Sequence, residues 1–151
     1  MKISAPKINS FLMFKLPSAW ICGVRVKDLD EKHCVTTVRH KWINQNPFNS
    51  LYFAVQAMAA ELSTGALVMK AVRESGRSVS MLVIQSNSRF TKKAVGKISF
   101  ICNDGNIISS ALEETIRTGE GQTFWMKSHG VNQEGQEIST FEFEWTIKLK
   151  S

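Results

Sequence analysis

The segment from Ser50 to Arg73, SLYFAVQAMAAELSTGALVMKAVR, constrains this chain more than any other. It has no proline, many alanines and one glycine, and it is framed by Asn46-Pro47 before and Gly76 after. Such a run forms one long helix. At about 100° per residue, Tyr52, Gln56, Ser63, Lys70 and Glu74 fall on one polar stripe, whereas Glu61 lies opposite, among Ala54, Ala57, Gly65, Val68 and Val72. The helix is nearly long enough to span a bilayer, but Gln56, Glu61, Ser63, Thr64 and Lys70 interrupt it and no other segment resembles a span. The rest of the chain is therefore expected to wrap it, and no membrane is expected as partner.

Glu61 is the only charge on the apolar side of that helix. Burying an ionised carboxylate without partners costs several kcal/mol, so such a group is paired, protonated or used in chemistry. Ala54, Ala57 and Gly65 lie within two turns of it and leave a depression where a plain core would carry Leu or Phe. Small residues beside a carboxylate leave room for a ligand.

The 151 residues fit a single domain, 1–151, and 43% hydrophobic with 21% charged residues is ordinary for a globular protein. The net charge of +6 favours an anionic partner, whether nucleic acid, membrane surface or phosphorylated small molecule. Cys22, Cys34 and Cys102 are odd in number and far apart, which points to no disulfide framework, no metal site and a reducing, cytoplasmic setting. The opening MKISAPKINSFLMFKLP has only a four-residue apolar run and no small-residue cleavage site, so it does not read as a signal peptide.

Alternating segments supply what could wrap the helix. Residues 20–26 and 33–43 read as strands joined by a turn at 28–32, and 78–90 and 95–103 read as strands after the helix. Ile107, Ile108, Ala111, Leu112, Thr115 and Ile116 follow helical spacing up to Gly119, which predicts a short second helix ended by that glycine. Residues 122–131 and 138–148 form a hairpin around 132–135, with Phe141, Phe143, Trp145 and Ile147 on one face of its second strand. The expected fold class is α+β: a curved antiparallel sheet of about six strands around one long central helix.

That layout is the hot-dog fold, and the residues carry a matching resemblance. Asn46-Pro47-Phe48-Asn49-Ser50-Leu51-Tyr52-Phe53-Ala54, then Ala60-Glu61-Leu62 and Gly65, resemble the start and middle of the central helix in the hot-dog thioesterase superfamily. The likeness is to its branch catalogued as a domain of unknown function. Phe90-Thr91-Lys92-Lys93-Ala94 with Gly96 matches an aromatic, basic and small-residue pattern on the strand after the helix.

The resemblance implies a set of roles. Glu61 stands where these thioesterases place a general base or nucleophile, and Phe53 stands where a backbone N–H polarises the thioester carbonyl. Asn46 matches a polar side chain that orients water or substrate; as a residue of a loop before Pro47 it equally fits a turn-shaping role. Tyr52, Phe53 and Ala54 replace the His-Gly-Gly common in better-known members, exchanging an imidazole for a phenol. Ala54 and Ala57 would line the acyl site, and Arg89, Lys92 and Lys93 would hold the phosphates of coenzyme A. The implied function is acyl-CoA thioester hydrolysis, with coenzyme A entering as part of the substrate and no cofactor of the protein's own. The runner-up is a non-catalytic module that binds or senses acyl thioesters. Because hot-dog sites form between subunits, a homodimer or tetramer is expected.

Other candidates are weaker. His33, His40 and His129 fall on predicted strands with no acid at motif spacing, and Arg73 and Arg77 flank the helix end, where they cap carbonyls or face solvent. The basic residues are dispersed and no nucleic-acid-binding motif occurs, so a nucleic-acid partner is not expected.

Overall fold

The long helix is α3, Phe53–Glu74, and a six-stranded antiparallel sheet curves around it. The computed structural model describes residues 2–151. The strands are β1 (Arg25–Leu29), β2 (Cys34–Arg39), β3 (Val79–Phe90), β4 (Lys97–Cys102), β5 (Gln122–Val131) and β6 (Glu137–Leu149). Their order across the sheet is β1-β2-β4-β5-β6-β3. The three remaining helices are α1 (Ala5–Lys15), α2 (Pro17–Ile21) and α4 (Gly105–Thr118).

The strand alternation read from the sequence is what builds the core. Val38, Ile98, Phe100, Met126, Phe141, Phe143, Trp145 and Ile147 are all buried on one face of the sheet, against Ala59, Leu62, Ala66 and Leu67 of α3. Each such large side chain contributes about 1.5–3 kcal/mol on burial. The predicted second helix is α4, ended by Gly119 at φ +76, a conformation that favours glycine.

Two expectations need correction. Trp20 and Ile21 belong to α2 and not to a strand, because Pro17 starts a helical turn and the chain turns at Gly23 before pairing begins at Arg25. Strand β2 stops at Arg39 and not at Ile43, because Asn44 anchors a 3-10 turn: its amide donates to Cys22 O at 2.9 Å and to Arg39 O at 2.8 Å, and accepts from Lys41 N at 2.8 Å. Along the polar stripe of α3, Gln56, Ser63 and Lys70 are buried. Ser63 bonds Ser128 across to β5 at 2.7 Å, and Lys70 pairs with Glu74 at 2.6 Å.

The opening residues fold onto this frame. Ile8 and Leu12 of α1 are buried, and Asn9 exchanges two 2.8 Å hydrogen bonds with the Val26 backbone, pairing the outer edge of β1. Strand β3, at the other border, pairs only with β6. No helix among the described residues is long and apolar enough to cross a membrane.

Candidate active site

Residues 53, 54, 57, 58 and 61 recur every three or four positions and so share one face of α3. That face forms the floor of a crevice of about 390 Å³ whose walls are Leu16 and Ala19, from the α1–α2 corner, and Phe143 of β6. Ala54 and Ala57 keep the floor low, and Glu61 lies in it. The segment that supplies the outer wall had no structural assignment from sequence.

A Glu61 carboxyl oxygen lies over Gly65, one turn on along the helix. A Cβ placed on Gly65 would stand 3.2 Å from Glu61 Oε1 and 3.2 Å from the Trp145 ring, so only a glycine one turn on leaves the carboxyl this position. The indole is held in turn: Trp145 Nε1 donates to Thr64 Oγ1 at 2.9 Å, and Thr64 donates to the Glu61 carbonyl at 2.8 Å. No cation pairs with Glu61 among the described residues, whose ion pairs lie elsewhere. Burial alone therefore acts on the group and raises its pKa to about 7. A carboxyl poised near neutrality can take a proton and return it.

The start of α3 leaves backbone donors free. Val55 N and Gln56 N both donate to Tyr52 O, at 3.0 and 3.2 Å, and Tyr52 gives the helix no side-chain cap. The Phe53 and Ala54 N–H groups meet no acceptor among the described residues. Unpaired donors at a helix start, with the partial positive charge of the helix end, suit a developing negative charge.

Phe53 also borders a second crevice, of about 380 Å³, which contains Asn46, Gln56, Phe90, Lys92 and Lys93. Asn46 is fully engaged in its own loop. Its Oδ1 accepts from Phe48 N at 2.9 Å and Ser50 N at 3.2 Å, while its Nδ2 lies 2.9 Å from Ser50 Oγ and 3.3 Å from Leu51 O. The structure thus favours the turn-shaping reading of this residue.

The predicted residues divide among four places. Glu61, Phe53, Ala54 and Ala57 share one crevice; Asn46, Lys92 and Lys93 share the next, with Phe53 common to both. Tyr52 caps neither, lying exposed with its ring edge-on to Phe53 at 5.0 Å. Arg89 is separate: Phe90 turns inward against Phe53 and Phe141, so its neighbour turns outward, into a polar crevice with Lys127, Glu137 and Glu142. The expected cluster of Arg89 with Lys92 and Lys93 does not form. Sequence reasoning missed Gln56, Phe143 and Trp145 as site neighbours. Their alternation and spacing were visible, but which groups they would meet depends on contacts far apart in the chain.

The histidines stand apart from the two crevices that meet at Phe53: His33 lies 2.9 Å from Asp28 and 2.8 Å from Asp30, and His129 lies 2.7 Å from Glu137, beside the polar crevice that Arg89 enters. No group of three or more His, Cys, Asp or Glu side chains placed to hold a metal ion occurs among the described residues.

Comparison with known proteins bears on fold and family. Residues 6–147 match the family model described as domain of unknown function DUF4442. No curated protein sequence matches significantly. A Pseudomonas aeruginosa protein of unknown function, PA5026, described as a probable thioesterase, superposes with TM-score 0.83 at 18% identity, over 99% of each chain. The Chlorobaculum tepidum protein OLEI01261, of unknown function, gives TM-score 0.84 at 15% identity, again over 99% of each chain. The Haemophilus influenzae thioesterase HI1161 gives 0.77 at 12% identity, over 99% of this chain and 93% of that one. The fold is the hot-dog fold, as the sequence led one to expect.

Proposed function

Since the chain belongs to the DUF4442 family and holds an unpaired carboxyl in an apolar crevice beside free helix-start donors, we propose that it hydrolyses an acyl-CoA thioester. The observation that carries this reading is the position of Glu61, which lies in the crevice with a carboxyl oxygen over Gly65 and its pKa raised by burial to about 7. Two of the structural neighbours described as thioesterases share the fold.

In this reading the thioester carbonyl lies at Phe53, the residue common to both crevices. Glu61 takes a proton from a water molecule as the water oxygen bonds to the carbonyl carbon. The negative charge that gathers on the carbonyl oxygen is met by the Phe53 N–H, an interaction of about 3–4 kcal/mol in comparable sites. Collapse breaks the carbon–sulfur bond, and the proton on Glu61 passes to the departing thiolate. The products are a carboxylic acid and free coenzyme A. Glu61 acting as the nucleophile uses the same placement. The acyl chain would lie along Ala54, Ala57 and Phe143, and Lys92 and Lys93 would meet the phosphates; Arg89, facing outward, has no part in this. The protein needs no cofactor of its own.

The active form is a homodimer or tetramer. Strand β3 offers an unpaired edge, and Leu82 and Ile84 on it are 64% and 51% exposed, which is the pattern of a strand that pairs with a second copy.

One feature supports the binding-module alternative: the Phe53 side chain borders the position where glycine would give the closest approach to the N–H. An assay of free-thiol release over a panel of acyl-CoA esters, run on wild type and Glu61→Gln, separates the two. Hydrolysis that falls at least about a hundredfold in the variant fits the general base. Tight binding with no turnover in either protein establishes the module instead.

A further inference from the structure

The crevice that holds Asn46, Lys92 and Lys93 contains one polar group with nothing to do. Gln56 is buried, with 4% of its surface exposed, and its Oε1 has no hydrogen-bond partner. Nearly all buried polar groups in folded proteins are satisfied, and an exception calls for an explanation such as a missing ligand. Of its polar neighbours, Asn46 is spent on its loop, Lys93 Nζ donates to Phe48 O at 3.3 Å, and Lys92 is exposed to solvent.

Gln56 also sits in the right place along the helix. It is one turn after Phe53, on the same face, and both line this crevice with Lys92. A carboxamide presents a donor and an acceptor side by side, and a half-turn about its last torsion exchanges them without changing its shape. The chemical group that answers both at once is another amide.

We infer that Gln56 is a specificity-determining residue that pairs with an amide on the carrier arm of the ligand, between the lysines and Phe53. This rests on the acyl-thioester reading for the identity of that ligand, because the arm of coenzyme A carries amides between its phosphates and its sulfur. Gln56, and not Asn46, is then the polar side chain that reads the ligand here. Arm and acyl chain enter through different crevices and meet at Phe53.

The test compares wild type, Gln56→Leu and Gln56→Met. Affinity for free coenzyme A is measured by calorimetry. Where wild type turns over thioesters, kcat/KM is also measured for an acyl-CoA and for the same acyl group on an amide-free alkanethiol. Both variants are expected to bind coenzyme A about 10- to 100-fold more weakly, as for a lost buried hydrogen bond. They should melt no lower than wild type, because each removes an unsatisfied buried oxygen. Turnover of the amide-free ester should be unchanged. Affinity for coenzyme A equal to wild type in both variants overturns the inference, as does an equal loss of kcat/KM on both esters. Calorimetry reads Gln56 even in a protein without turnover, so failure of hydrolysis is distinguishable from failure of this assignment. A wild type that binds no coenzyme A contradicts both.

Discussion

At Glu61 the protein holds a carboxyl where ionisation is unfavourable. Its pKa rises from 4.5 to about 7 through burial alone, so the folded state holds a proton that the unfolded chain has already lost. Stability therefore falls as pH climbs from about 4.5 to about 7, and the full cost, up to about 3 kcal/mol, is present above that range. Glu61→Gln has no such cost. Its denaturation midpoint is expected to exceed that of wild type at pH 8 and to approach it at pH 4, while activity is lost; a variant less stable than wild type at pH 8 contradicts this. Gly65 tests the same placement from the other side. In Gly65→Ala the new Cβ stands 3.2 Å from Glu61 Oε1 and 3.2 Å from the indole. The carboxyl or the indole has to give by a few tenths of an ångström; displacement of the carboxyl towards the crevice moves the pH midpoint of activity acidward, and an unmoved midpoint shows that the indole gives way instead. The side of α3 that bears Glu61 followed from its period of 3.6 residues. That the Trp145 ring, more than eighty positions later, shares the space over Gly65 with it did not, because no local pattern encodes it.

The elements around that residue were legible in unequal measure. Helix α3, the hairpin of β5 and β6, and α4 carry long, regular patterns, and each lies close to where its periodicity put it. The α1–α2 corner was not read, since Ile8 and Leu12 give only a brief helical signal and Pro17 obscures it, although this corner supplies one wall of the Glu61 crevice. The polar stripe of α3 was legible but its partners were not: Ser63 meets Ser128 of β5 and Lys70 Nζ donates to Ile3 O, contacts that a single helical pattern cannot show. The loop before α3 is the element that aims the helix start, and Asn46 holds it with both amide atoms. Asn46→Ala is expected to lower stability by about 1–3 kcal/mol in urea titration and to leave the pH midpoint of activity in place. A shifted midpoint with full stability would instead put Asn46 in the chemistry.

For the molecule as a whole, the antiparallel sheet has one border paired by α1, through Asn9, and one border, β3, without a partner. Sedimentation equilibrium should therefore find a dimer or a tetramer. Ile84→Lys, which places a charge on an exposed apolar position of that border, is expected to shift the population towards monomer and to lower activity with it; an active monomer would show that the crevice is complete within one chain. The fold and the proposed oligomer serve one end, a carboxyl kept out of water within reach of a helix start. The most direct measurement of that claim is kcat/KM for an acyl-CoA ester from pH 5 to pH 9, which reports the free enzyme. A rise through a midpoint near 7 that is absent in Glu61→Gln is expected; a midpoint near 4.5, or the same profile in both proteins, would show that Glu61 is not the group whose titration sets the rate.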